Sequence, residues 1–325
     1  MALKHYLCVV SIFNLLLSCT SAAVHEHEVN NLERESDGSY RPRDHEHYGD
    51  SGHNSEFDHE AILGSVEEAE KFDKMSPSEA KEKLADLLLK MDLNGDQQID
   101  RKELKKWILN SFVNLGREEA KERLQEADED QNGIVTWPEY LHLFGVDTED
   151  EISPDDTGDT GMTIREEKAM WAVADVDNNG ILDLDEFEVF SNPEEHKQMH
   201  QFLINQTMRE KDSNKDGAIT FTEYIGDRGV QQDKEWLLSE KDKFENDLDL
   251  NKDGVLDQTE IYKWIIPDND EIAVEEVDHL FASADEDHDD ILSFEEILNN
   301  QHVFVGSEAT DYGNDLLGDH FDDEL

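Results

Sequence analysis

The chain has 325 residues, enough for two or three compact units, and carries 82 acidic against 28 basic side chains. A net charge of −54 excludes nucleic acid and anionic membrane as natural partners, because both would repel it, and favours cations or basic protein surfaces. Charge on this scale is compatible with disorder, but Trp107, Trp171, Trp236 and Trp264 sit in periodic apolar patterns that require a packed core.

Residues 1–23 read as a secretory leader. Lys4 gives a positive start, LCVVSIFNLLL (Leu7–Leu17) an apolar stretch, and Ser21 and Ala23 small residues spaced for cleavage. The apolar run is too short for a membrane anchor and no other stretch would span, so no membrane insertion is expected after cleavage. Both cysteines, Cys8 and Cys19, fall inside it. The mature chain would then have no thiols, 27 basic against 82 acidic residues, and a net charge of about −55. A secretory protein of that kind must hold its fold without disulfides.

Residues 24–75 are polar, acidic and histidine-bearing, with no sustained period until their end, and are expected to be largely disordered. His25, His27, His45, His47, His53 and His59 could hold zinc or copper, but their spacing is irregular. A helix should open at Ser76, with Pro77 at its first position and Glu79 closing a capping box, and Leu84, Leu87, Leu88 and Met91 on its inner face.

Six twelve-residue segments then follow one pattern, with starts 36, 47, 37, 37 and 36 residues apart. They are DLNGDQQIDRKE from Asp92, DEDQNGIVTWPE from Asp128, DVDNNGILDLDE from Asp175, DSNKDGAITFTE from Asp212, DLNKDGVLDQTE from Asp249 and DEDHDDILSFEE from Asp285. Alternate short oxygen-bearing side chains, a mid-loop turn and a closing Glu make the pattern of a calcium-binding EF-hand loop. Calcium takes about six to eight oxygens, which such a loop supplies from positions 1, 3, 5, 7 (through the carbonyl), 9 and 12. Magnesium suits a seven-oxygen flexible loop less well.

The candidate ligands at positions 1, 3, 5, 7 and 12 are Asp92, Asn94, Asp96, Gln98 and Glu103 in the first loop. In the second they are Asp128, Asp130, Asn132, Ile134 and Glu139; in the third, Asp175, Asp177, Asn179, Ile181 and Glu186. The fourth offers Asp212, Asn214, Asp216, Ala218 and Glu223, and the fifth Asp249, Asn251, Asp253, Val255 and Glu260. The sixth offers Asp285, Asp287, Asp289, Ile291 and Glu296. Gly stands at position 6 of the middle four loops, but Gln97 and Asp290 stand there in the first and sixth. A left-handed Gln costs on the order of 1 kcal/mol, so these two loops could be degenerate and kept only for pairing.

Position 8 is aliphatic throughout, at Ile99, Val135, Leu182, Ile219, Leu256 and Leu292, as a short β-bridge between paired loops requires. Thr163 and Glu166 suggest a second capping box, with Trp171 and Ala174 facing inward. Leu104, Trp107 and Ile108, Phe187 and Phe190, and Ile261, Trp264 and Ile265 repeat the inward pattern after their loops as core residues.

The fold class is therefore all-α: six helix-loop-helix units in three pairs. Pairing in chain order is expected, with loops 1 and 2 in residues 76–145, 3 and 4 in 163–228, and 5 and 6 in 229–300. The Gly-, Pro- and Asp-rich Gly145–Met162 should be a linker between the first two pairs.

Other chemistry is faint. His196 and His200 lie one turn apart without the Glu of a metalloprotease motif, so a solvated face is preferred. Asn205-Gln206-Thr207 is a glycosylation sequon. No Gly-rich phosphate loop or catalytic constellation is visible, so no enzyme is expected. The tail, residues 301–325, ends Asp322-Asp323-Glu324-Leu325, close to the signals read by the retrieval receptor of the endoplasmic reticulum.

With this leader, six loops and this tail, the chain resembles the reticulocalbin–calumenin family. FDHEAILG (Phe57–Gly64) is similar to the segment before that family's first helix, and FVGSEATDYG (Phe304–Gly313) to its C-terminal segment. The tail departs from the more usual His-Asp-Glu-Leu or His-Asp-Glu-Phe ending by having Asp322 first. The resemblance implies a lumenal protein of the endoplasmic reticulum with several low-affinity calcium sites and roles in binding secretory clients or regulating channel proteins. Six calcium ions would leave a net charge of about −43, so an apo chain expanded by self-repulsion and compacted by calcium is expected.

Overall fold

Most of the described helices begin where the chain supplies a side-chain cap. The structure, a computed structural model, describes residues 34–45, 47–49, 52–146, 159–230 and 232–305. The leader, His25, His27, most of the Gly145–Met162 linker and the retrieval-like tail lie outside the described residues.

A two-residue hairpin, β1 (Tyr48–Gly49) and β2 (Gly52–His53), is followed by α1 (Ser55–Leu63) and α2 (Val66–Asp73). Helix α3 (Pro77–Met91) opens with the expected capping box, the Glu79 amide donating to Ser76 and the Ser76 amide to Glu79. It enters loop 1, which carries β3 (Gln98–Ile99) and leaves through α4 (Arg101–Ala127). Loop 2 carries β4 (Val135–Thr136) and leaves through the short α5 (Trp137–His142). Helix α6 (Asp159–Ala174), β5 (Ile181–Leu182) and α7 (Leu184–Ser191) build the third unit. Next come α8 (Lys197–Lys211), β6 (Ile219–Thr220) and α9 (Phe221–Ile225). The fifth unit uses α10 (Lys234–Lys243), continued by a π turn over Phe244–Leu248, then β7 (Val255–Leu256) and α11 (Gln258–Ile265). The last uses α12 (Asn269–Ala284), β8 (Leu292–Ser293) and α13 (Phe294–Asn299), and α14 (Gln301–Phe304) closes the described chain.

The units pair, but not in chain order. Strand β3 pairs antiparallel with β8, β4 with β5, and β6 with β7. Loop 1 therefore faces loop 6, loop 2 faces loop 3, and loop 4 faces loop 5, which corrects the expected 1–2, 3–4 and 5–6. The reason is α4. Its 27 residues run unbroken from loop 1 to loop 2 and hold them about 40 Å apart at 1.5 Å per residue. Loop 2 must then turn to its other neighbour, and the region read as a linker between pairs connects the two halves of one pair. The shift passes along the chain, and the two end loops close a ring.

Each pair has its own core. Leu84, Leu88, Ile99, Leu104, Leu280, Phe281 and Leu292 fill the first. Leu124, Val135, Trp171, Leu182, Phe187 and Phe190 fill the second. Leu203, Ile219, Tyr224, Leu256, Ile261 and Trp264 fill the third. The six aliphatic residues at position 8 are all 0% exposed and face one another as Ile99–Leu292, Val135–Leu182 and Ile219–Leu256. Of the tryptophans, Trp171 and Trp264 are buried. Trp107 is half-buried, its indole N–H donating to the Ile62 carbonyl at 2.7 Å, and Trp236 is half-exposed.

Two further expectations are corrected. Residues 34–75, read as largely disordered, dock across all three pairs. The Tyr40 amide donates to the Ile265 carbonyl at 3.0 Å and its ring enters the third core. Arg43 reaches Glu195 at 2.6 Å and Glu119 at 3.3 Å. Ala61, Ile62 and Phe72 enter the first core. Few apolar residues are needed here because the surface they cover is supplied by the rest of the chain. Gly64 ends α1 at φ 63°, where its absent side chain lets α1 approach Ser111 of α4. Thr163, in turn, is not a helix start: α6 already runs from Asp159, and Glu166 accepts from Gln206 at 3.4 Å.

Candidate metal centres

The six loops are built by one set of hydrogen bonds. In every loop the position-6 amide donates to the position-1 aspartate, from Gln97 to Asp92 at 2.9 Å through to Asp290 to Asp285 at 3.1 Å. The position-5 amide donates to the side-chain oxygen at position 3, and the position-7 amide to that at position 5. The ligands at positions 3 and 5 thus each spend one lone-pair direction on a loop amide, and the position-1 aspartate accepts two or three.

Two left-handed residues make the turn in each loop, at positions 4 and 6. Position 4 is Gly95, Gln131, Asn178, Lys215, Lys252 or His288, and position 6 is Gly in loops 2 to 5. Gln97 and Asp290 adopt the same conformation at φ 63° and 65°. Loops 1 and 6 are therefore folded like the others. Loop 1 has exchanged its residues, with Gly at position 4 and Gln at position 6.

The C-terminal half of the pattern has a second use. Position 9 (Asp100, Thr136, Asp183, Thr220, Asp257 or Ser293) is the N-cap of the exiting helix, and the Glu at position 12 closes a capping box in all six. The other oxygen of that Glu reaches back across the loop in five of them, as where Glu103 accepts from the Leu93 and Asn94 amides at 3.0 and 3.3 Å. One carboxylate so placed joins the helix to the metal-facing side of the loop.

In loops 2 and 3 the carboxylates at positions 1, 3 and 12 converge: Asp128, Asp130 and Glu139, and Asp175, Asp177 and Glu186, each have an oxygen within 4.8 Å of the others. In loop 6, Asp285, Asp287 and Asp289 do the same. Loops 1, 4 and 5 carry Asn94, Asn214 and Asn251 at position 3. The donors are all oxygen and mostly anionic, which suits a hard cation such as calcium. Slight burial works to raise the Asp92 carboxyl, but the Gln97, Gly95 and Asp96 amides outweigh it and hold the carboxyl below its ordinary range. Thr220 amide and hydroxyl contacts lower Glu223 as well.

Pairing adds a contact that the loop pattern does not contain. Arg101, on the exit helix of loop 1, donates to Asp290 of loop 6 at 2.6 Å and also reaches Asp278. It follows that Gln97→Gly should relieve about 1 kcal/mol and tighten calcium at loop 1 roughly fivefold, whereas Asp290→Gly should gain little because it loses Arg101. Calcium titrations of the two single variants check this.

The weaker candidates are placed too. His200 Nε2 donates to the Glu194 carbonyl, 2.7 Å away, and both His196 and His200 are half-buried rather than solvated. Asn205 is exposed on α8 while Thr207 is buried. Among the described residues no helix is long and apolar enough to cross a membrane.

Comparison with known proteins agrees with the construction of the individual loops. The family model for an EF-hand domain pair matches residues 81–145 and 167–226. Each match holds two loops consecutive in the chain, whereas the structure joins loop 2 to loop 3 across them. The chain is 37% identical to reticulocalbin-2 of Mus musculus over 289 residues, 86% of this chain and 90% of that one. It is 36% identical to reticulocalbin-2 of Crotalus adamanteus, covering 81% and 89% of the two chains. It is 34% identical to reticulocalbin-3 of Mus musculus, covering 86% and 87%.

Proposed function

The chain belongs to the reticulocalbin family of multiple-EF-hand, calcium-binding proteins, and from that premise we propose that it is a non-enzymatic calcium binder of the endoplasmic reticulum lumen, folding and compacting on its ion. The observation that carries this reading is the shared turn and capping construction of all six loops, each with its position-8 hydrophobic residue facing a partner, and the convergence of three carboxylates in loops 2, 3 and 6. The leader-like residues 1–23 and the Asp322–Leu325 ending support the compartment. Asparagine at positions 3 or 5 of five loops lowers the charge on the ligands and suits weak, numerous sites rather than a single tight one.

A second reading is a calcium-dependent adaptor or chaperone-like regulator of secretory clients or channel proteins. It is favoured by a cleft of about 1020 Å³ between the pairs, where Met170, Phe187 and Phe190 meet Glu119, Glu122 and Glu166. Arg34, Arg123 and Lys211 also line it, but glutamates outnumber them, so the cleft suits an extended segment with an excess of basic residues.

Calorimetric titration of the mature chain with calcium, with circular dichroism and hydrodynamic radius on the same samples, tests the proposal. Several sites in the high-micromolar to millimolar class, gained helix and a smaller radius are expected. One or two tight sites on a chain already compact and helical would overturn it.

A further inference from the structure

Three histidines and an aspartate converge outside the calcium loops. His47 precedes the N-terminal hairpin's first strand, His53 ends its second, Asp58 lies in the first turns of α1, and His279 lies on α12. Their facing atoms all lie within 4.8 Å of one another. His47 Nε2 stands 2.7 Å from Asp58 Oδ1, and His53 Nε2 and His279 Nε2 stand 3.0 and 3.4 Å from Asp58 Oδ2. We propose that His47, His53, Asp58 and His279 bind one first-row transition-metal ion, zinc by preference, at a site separate from the calcium loops.

The donor set points to the metal class. Three imidazole nitrogens with one carboxylate oxygen match zinc, whereas calcium avoids nitrogen. A tetrahedral ion with ligand bonds of about 2.1 Å places neighbouring ligand atoms about 3.4 Å apart, so the observed spacings need only small adjustments to accept it.

The surroundings are those of a built site. Asp58 is 0% exposed and His47 4%. Nevertheless His47 Nε2, His279 Nε2 and both Asp58 oxygens are buried without the geometry of a hydrogen bond, as are both oxygens of Glu276, one of which lies 3.8 Å from His47 Nε2. A buried carboxylate ringed by three imidazoles, with the Glu276 oxygens unpaired beside it, is a concentration of electron-pair donors that one cation at its centre would serve together. The outer contacts are in place as well. The Tyr48 hydroxyl lies 3.1 Å from His279 Nδ1, and donation from that nitrogen to the hydroxyl leaves Nε2 free to ligate. The Asn54 amide, donating to the His47 carbonyl at 2.8 Å, fixes the hairpin that carries two of the ligands. A metal here would fasten the N-terminal segment to the pair formed by loops 1 and 6, closing a chain loop of more than two hundred residues.

The test uses the full mature chain with calcium in excess, so that the EF-hand loops are occupied. Zinc is titrated calorimetrically, and cobalt(II) is added in parallel as a spectroscopic substitute. One zinc per chain and intense visible cobalt bands of low coordination number are expected. His53→Gln and His279→Gln should each weaken zinc on the order of 100-fold and abolish the cobalt bands while calcium binding is kept. His53 is a third exposed, so its replacement should leave the folded core untouched, which circular dichroism of the variant checks. No stoichiometric zinc binding in calcium, or binding of undiminished strength in both variants, would overturn the proposal. Neither result bears on calcium at the six loops, which the same samples report separately.

Discussion

Leu292→Asp is expected to deprive loop 1 of calcium as well as loop 6, and to leave loops 2 and 5 filled. Leu292 is 0% exposed and sits opposite Ile99, also 0% exposed, in the two-residue ladder between β3 and β8. A carboxylate there has no partner and is far from water, a penalty of about 3 kcal/mol or more. The ladder must open, and Ile99 then loses the surface that covers it. Since each loop's ligands are held by backbone fixed through this ladder, calcium at both loops should weaken on the order of 100-fold. Loop 2 is consecutive with loop 1 but held about 40 Å away by α4, and its own partner contact, Val135 with Leu182, is untouched. A calcium titration should lose two sites, and amide exchange should accelerate around Ile99 while Val135 stays protected. Loss at loops 5 and 6 with loop 1 intact would show that the pairs follow chain order.

The second large effect concerns the N-terminal segment. A chain begun at Asn54 should be less stable by about 3–5 kcal/mol and should have a larger radius of gyration in calcium. Tyr40 is 5% exposed in the third core, and its amide is tied to the Ile265 carbonyl. Arg43 neutralises Glu195 beside α4. Lys243 donates to the buried Asp37 at 2.7 Å. Burial works to raise that carboxyl, but Lys243 and the Ser39 amide and hydroxyl outweigh it and lower the carboxyl from 3.8 to about 2. A carboxyl depressed in the folded state contributes stability that is fully present above the unfolded value and disappears as pH falls through the folded one. In the intact chain this contact should therefore hold above about pH 4 and fail between 4 and 2, whereas the shortened chain should lack that part of the acid dependence. Small-angle scattering and thermal unfolding across this range decide the matter, and unchanged radius and stability would mean that the segment merely rests on the surface.

The loops were legible in the sequence because their chemistry is local. Twelve residues carry the ligands, the turn and the helix cap, and a single aliphatic position reveals that a partner exists. Which partner is a question of geometry over longer distance. The answer lay in the stretch from Arg101 to Ala127, which has no proline and only Gly116 as a weak point, and whose continuity separates the loops at its ends. The Gly145–Met162 stretch was recognised as a break, but a break can join two halves of a pair as readily as divide two pairs. Composition likewise misjudged residues 34–75. Their few apolar side chains could not form a core alone, yet Tyr40, Ile62 and Phe72 complete cores built by other elements. The histidine site shows the same limit. His47 and His53 were visible as candidates, but His45 and His59 do not join them, and His279 belongs to a helix with no pattern that announces it.

The pairing of first loop with last also sets a timetable for synthesis. A chain growing from its N-terminus completes loop 1 early, then must make roughly two hundred more residues before loop 6 exists to meet it. Loops 2 and 3 can close first, and loops 4 and 5 after them. Through that interval the lobe begun by α3 stays open, with Ile99 and Leu104 uncovered. An interrupted chain would keep its two inner lobes yet present a sticky, half-built end, so the lobe that starts first is the last to be finished.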